Sequence, residues 1–103
     1  MEAEEEKGDS AMTRQYAGGR SLHFENGSAA QLLYFLLSEK LEGCTTYGAE
    51  IILHRDGQRE SAVMRNLTTS QRRMDELLQL LCRNTVTPCT LRQTLAELLE
   101  EKG

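Results

Sequence analysis

The sequence predicts an α+β fold: a small antiparallel β-meander of three to four strands, followed by two antiparallel α-helices packed on one sheet face. Three observations carry that prediction. Asn26-Gly27 and Asp56-Gly57 are hairpin signals, because both central positions of a tight type I′ turn need positive φ. Tyr47 to Arg55 alternates in character with the two-residue period of a strand. Beyond residue 68, two leucine stripes recur at helical spacing, each behind a capping signal.

Residues 1–19 read as a flexible acidic N-terminal tail. They hold few large apolar side chains and end in Gly18-Gly19, so little offsets the entropy lost on ordering them. The single α+β domain then spans residues 20–103. Its first strand is the alternating stretch Ser21-Leu22-His23-Phe24, ahead of the Asn26-Gly27 turn. Residues 30–41 allow two readings from pattern alone. Ser28 and Gln31 make a capping box, and Leu33, Leu36, Leu37 and Leu41 fall at helical spacing. The unbroken run Leu32 to Leu37 instead suits a strand covered on both faces.

The next strand is clearer. Tyr47, Ala49, Ile51 and Leu53 share one face, while Thr46, Gly48, Glu50 and His54 share the other with Ile52. After Asp56-Gly57, residues 59–65 return antiparallel with an uncertain register. Thr68 and Gln71 form a capping box for a helix whose stripe is Met74, Leu77, Leu78 and Leu81, and Asn84 suits a left-handed terminator. Thr87-Pro88 opens the second helix, since proline lacks an amide that a first turn cannot satisfy. Val86 and Leu91 stand at the two positions of a hydrophobic staple, and Leu91, Leu95, Leu98 and Leu99 form the stripe.

Two segments, Tyr47-Gly48-Ala49-Glu50-Ile51 and Arg83-Asn84-Thr85-Val86-Thr87-Pro88, resemble a family of short proteins from Gram-positive anaerobic bacteria, known only as a domain of unknown function. The resemblance spans roughly residues 30–101. It implies that Leu32 to Ser38 is a strand, which makes the meander four-stranded. It implies no activity.

Composition bounds the function more than it reveals it. At 103 residues the chain suffices for one modest core. A formal net charge of −4 argues against bulk affinity for nucleic acid or anionic membranes. The acidic N-terminus is unlike a secretory signal, no apolar run approaches the twenty or so residues of a membrane span, and three cysteines without close pairing suit a reducing compartment. A cytoplasmic location is expected.

No catalytic, cofactor or metal site is legible. Cys44, Cys82, Cys89 and His54 lack the paired spacing of zinc ligands, and plain burial is the simpler expectation for the cysteines. His23 and His54 lie in no nucleophile motif, and Gly18-Gly19 lacks the lysine of a phosphate loop. The expectation is a non-enzymatic protein-interaction or regulatory module without a cofactor. Its partner would be another protein or a second copy of the chain. Arginine is the one residue type that stands out: Arg55, Arg59, Arg65, Arg72 and Arg73 are candidate partner-binding residues. Arg72 and Arg73 oppose the helix macrodipole, which an external anion would offset. That cluster also supports an alternative, a nucleic-acid-associated factor; a cryptic enzyme is the weakest reading.

Overall fold

The computed structural model describes residues 12–102, with side chains as far as Leu98. Four strands run in chain order, β1 Met12–His23, β2 Ala29–Leu41, β3 Cys44–Arg55 and β4 Gln58–Thr68. Among the described residues they form one antiparallel sheet in the order β1-β2-β3-β4. Helix α1 (Gln71–Arg83), a 3₁₀ turn (Pro88–Thr90) and helix α2 (Leu91–Lys102) complete the chain. The resemblance implies a strand over Leu32 to Ser38, and the strand found there is longer, Ala29–Leu41, so residues 30–41 are strand and not helix.

The N-terminal boundary needs correcting. Residues 12–19, read as part of the tail, are the first half of β1 and pair with β2 from Met12↔Glu39 to Gly19↔Leu33. Backbone hydrogen bonding holds this segment, and its side chains are mostly exposed, which is why composition alone resembles a tail. Gly18-Gly19 is not a linker: a Cβ on Gly19 would sit 3.1 Å from the Leu32 carbonyl oxygen. The rest of the proposed tail, residues 1–11, lies outside the described residues.

The turns divide by chemistry. Asp56-Gly57 joins Arg55 to Gln58 with φ of 50° and 76°, the two-residue turn that the sequence predicts. A second such turn, Glu42-Gly43 with φ of 43° and 86°, is not singled out by the sequence pattern. The Asn26-Gly27 connection is longer than a type I′ turn. Phe24 closes it by donating its amide to the Ser28 carbonyl at 2.9 Å, and only Gly27 has positive φ. Asn26 Oδ1 instead accepts from the Ser28 amide at 3.0 Å and hydroxyl at 2.7 Å. Ser28 is thus committed to the turn and caps no helix.

Alternation now has consequences. Leu32, Tyr34 and Leu36 of β2 face the same way as Ala49 and Ile51 of β3, as their pairings Tyr34↔Ile51 and Leu36↔Ala49 require. These five join Met74, Leu77, Leu78, Leu81, Val86, Leu91 and Leu95 in one buried cluster. Both helical stripes contribute to it, and every strand residue in it comes from one face of the sheet. Tyr34 is fully enclosed and donates its hydroxyl to the Val86 carbonyl at 2.8 Å, tying the centre of the sheet to the helix junction. Burial pushes its phenol up to about 12, with Cys82 adding to the rise and Arg20 opposing it.

Both helix ends of α1 differ in detail from the sequence expectation. The N-cap is Ser70, whose Oγ accepts from the Arg73 amide at 3.2 Å; Thr68 Oγ1 accepts from the Ser70 amide one step earlier. At the other end Asn84 keeps φ at −91°, and the left-handed residue is Thr85 at 56°. Thr85 donates to the Cys82 carbonyl at 3.1 Å and Val86 to Leu81 at 3.0 Å, the two bonds of a Schellman motif. Thr87 and Pro88 open the following turn as expected, though its first turn is 3₁₀.

Candidate functional site

The second face of the sheet carries the exposed apolar surface. The four large apolar side chains most exposed among the described residues are Tyr16 (59%), Met12 and Val63 (42% each) and Leu41 (37%). Their pairings, Met12↔Glu39, Tyr16↔Phe35, Leu41↔Cys44 and Val63↔Glu50, set all four on the face away from the helix-bearing cluster. One row crosses the whole sheet there: Tyr16, Phe35, Glu50, Val63. The Tyr16 and Phe35 rings meet edge to face with centroids 5.9 Å apart. Leu37 and Ile52 lie buried beside the row.

Two carboxylates are buried in this apolar setting, and each is matched by an arginine from an outer strand. Glu50 pairs with Arg14 at 2.8 Å, and the Arg14 guanidinium also lies 4.5 Å from the Phe35 ring centre. Glu39 takes a two-pronged contact from Arg65, Nε to Oε1 at 3.2 Å and a second nitrogen to Oε2 at 2.5 Å. That hydrogen bond, with the charge of Glu39 behind it, raises the Arg65 pKa further above its already high value.

Arg65 reaches Glu39 because the sheet is irregular beside it. Between the pairs Tyr47↔Thr68 and Ala49↔Met64, β3 supplies only Gly48 while β4 supplies Arg65, Asn66 and Leu67. Asn66 turns with φ of 58° and accepts from Thr46 Oγ1 at 2.5 Å. A Cβ on Gly48 would run into the Met64 carbonyl oxygen, so this close crossing needs glycine.

The five arginines singled out in the sequence do not form one patch. Arg55 stacks on Phe24 at 4.5 Å, with Asp56 at 3.9 Å. Arg59 pairs with His54 across the β3–β4 ladder, and Arg65 lies six residues further along β4, roughly 20 Å away at strand spacing. Arg72 and Arg73 lie in the first turn of α1, where Arg72 reaches Glu76 at 3.5 Å with both side chains well exposed. Such a pair contributes a few tenths of a kcal/mol at most, roughly. Of the five, Arg59 and Arg65 lie on the second face, Arg59 at the hairpin end of β4 and Arg65 beside the buried Glu39. Pattern reading misses Met12, Arg14 and Tyr16 because they fall in the presumed tail. The available signal is Glu39 and Glu50, two carboxylates inside the apolar strands.

The cysteines also depart from expectation. Cys44 and Cys89 are exposed rather than buried, and only Cys82 is partly covered, its Sγ 3.9 Å from the Gly19 carbonyl. Among the described residues no group of three or more His, Cys, Asp or Glu side chains could hold a metal ion. Among the same residues no helix is long and apolar enough to cross a membrane.

A family model described as a family of unknown function (DUF6514) matches residues 14–101. The matched span starts within β1, earlier than the residues whose motifs suggested a resemblance. No curated protein and no solved structure matches the chain.

Proposed function

We propose, for a chain that belongs to the DUF6514 family of unknown function, that it is a non-enzymatic protein-interaction module. In this reading both helices cover one sheet face, and the other face receives a protein partner. The observation that carries it is the segregation of Met12, Tyr16, Leu41 and Val63 onto that second face. Exposed apolar side chains scattered over a surface need no explanation, whereas the gathering of these four on one sheet face, around the Tyr16–Phe35 ring pair, suits a docking surface. The buried Glu39 and Glu50 add specificity, because a partner must seat without breaking their arginine pairs. A cytoplasmic setting suits a surface with exposed thiols at Cys44 and Cys89.

The nucleic-acid alternative is weaker on the same geometry. Phosphate recognition needs cations gathered along one track, but Arg65 is held by Glu39, Arg55 lies against Phe24, and Arg72 reaches Glu76. A photo-crosslinking residue placed at Val63, and separately at exposed Gln79 on α1, tests the reading in native-host cells. A defined protein adduct at Val63 and none at Gln79 is expected. Equal capture at both positions, or salt-sensitive retention of nucleic acid that depends on Arg72 and Arg73, would refute it.

A further inference from the structure

We infer that the occupant of the second sheet face is another copy of this chain, packed sheet on sheet about a two-fold axis. The inference rests on the interaction reading above and names its partner. Charge is the first argument. Glu39 and Glu50 are closed by Arg65 and Arg14 of their own chain, so the apolar centre of the face offers no net charge. Two copies therefore meet at that centre without like-charge repulsion, and the further arginine of the described face, Arg59, stands away from it at the hairpin end of β4.

Area is the second argument. The strands are 11 to 13 residues long. At about 3.3 Å per residue and about 4.8 Å between strands, the face measures roughly 40 by 19 Å. That is roughly 750 Å² per copy, against about 800 Å² per partner in a standard stable interface. A second copy brings a face of the same size. Sheets stacked this way lie about 10 Å apart with interdigitating side chains.

Symmetry is the third. Tyr16 and Val63 stand at opposite ends of one row, on the two outer strands of the described sheet. An axis parallel to the strands sets Tyr16 of each copy over Val63 of the other, the reciprocal contact that a two-fold interface requires. Phe35, half-covered at the middle of the row, and Tyr16 supply aromatic anchors.

Sedimentation velocity of the full chain over a concentration series tests the inference. A species of twice the 11.6 kDa chain mass should grow with concentration. Val63→Glu should weaken dimerisation about tenfold or more. Val63 is exposed in the single chain, so this variant keeps its fold, which an unchanged far-UV circular dichroism spectrum verifies. Gln79→Glu on α1 should leave the dimer as it is. A chain that stays monomeric throughout, or a dimer insensitive to both Val63→Glu and Tyr16→Ser, overturns the inference. The crosslinker at Val63 separates the two readings. Capture of a different protein by a monomeric chain removes the second copy and keeps the interaction face, while no protein adduct at Val63 removes both.

Discussion

Replacing Tyr34 by Phe removes one oxygen from the centre of the fold. The ring stays, and so does nearly all of its apolar burial, because Tyr34 is fully enclosed. What goes is the 2.8 Å hydrogen bond to the Val86 carbonyl. Val86 is itself buried and sits in the junction between helices, so its oxygen has no helical partner to turn to. An acceptor left unpaired in such a place costs about 1–3 kcal/mol. For a domain of this size that lowers Tm by roughly 5–20 °C. Urea denaturation followed by circular dichroism reads the change as a lower midpoint at unchanged slope. Burial of the same phenol predicts a pH dependence. The folded phenol titrates near 12 against a reference of 10, so above about pH 10 the unfolded chain releases a proton that the folded chain keeps. Stability from this group is complete below about pH 10 and is lost as pH rises through about 12. The difference between wild-type and Tyr34→Phe stability should shrink over that window. A variant within about 0.5 kcal/mol of wild type at neutral pH, or a difference flat from pH 9 to 12, would refute the reasoning.

Two further substitutions probe the backbone. Gly48→Ala drives a methyl into the Met64 carbonyl where β3 crosses the β4 irregularity, and should cost about 2 kcal/mol or more in chemical denaturation; a neutral outcome would mean the strands separate there freely. Thr85→Gly should instead stabilise by about 1 kcal/mol, because a β-branched residue at φ of 56° is replaced by the one residue type at home there, and a lower melting temperature would count against the Schellman geometry.

Much of this molecule is legible from local pattern. The face assignments of Tyr47 to Leu53, the stripe Met74, Leu77, Leu78 and Leu81, and the Thr87-Pro88 helix start all follow from periodicity and capping chemistry. Each depends on residues within a few positions of one another, so the responsible forces are written in contiguous sequence. The errors at the ends of α1 are of one or two residues and have a simple origin. Ser70 competes with Thr68 for the same cap, and the left-handed turn at Thr85 lets the Val86 amide reach the Leu81 carbonyl.

Other features were decided only when distant segments met. Residues 30–41 satisfy an extended pattern as well as a helical one that local propensity favours, and long-range pairing with β1 and β3 on either side selects the strand. Met12 to Gly19 has a tail's composition, yet its amides and carbonyls complete a ladder with β2, an interaction no side-chain pattern reports. The candidate face is of the same kind. Arg14 and Glu50 are 36 positions apart, and Glu39 and Arg65 are 26 apart. Sequence alone therefore determined an α+β chain with two amphipathic helices. Tertiary structure decided which arginines keep their charge for a partner and which spend it within the chain, because charge pairing depends on proximity in space and a strand ladder brings remote residues together.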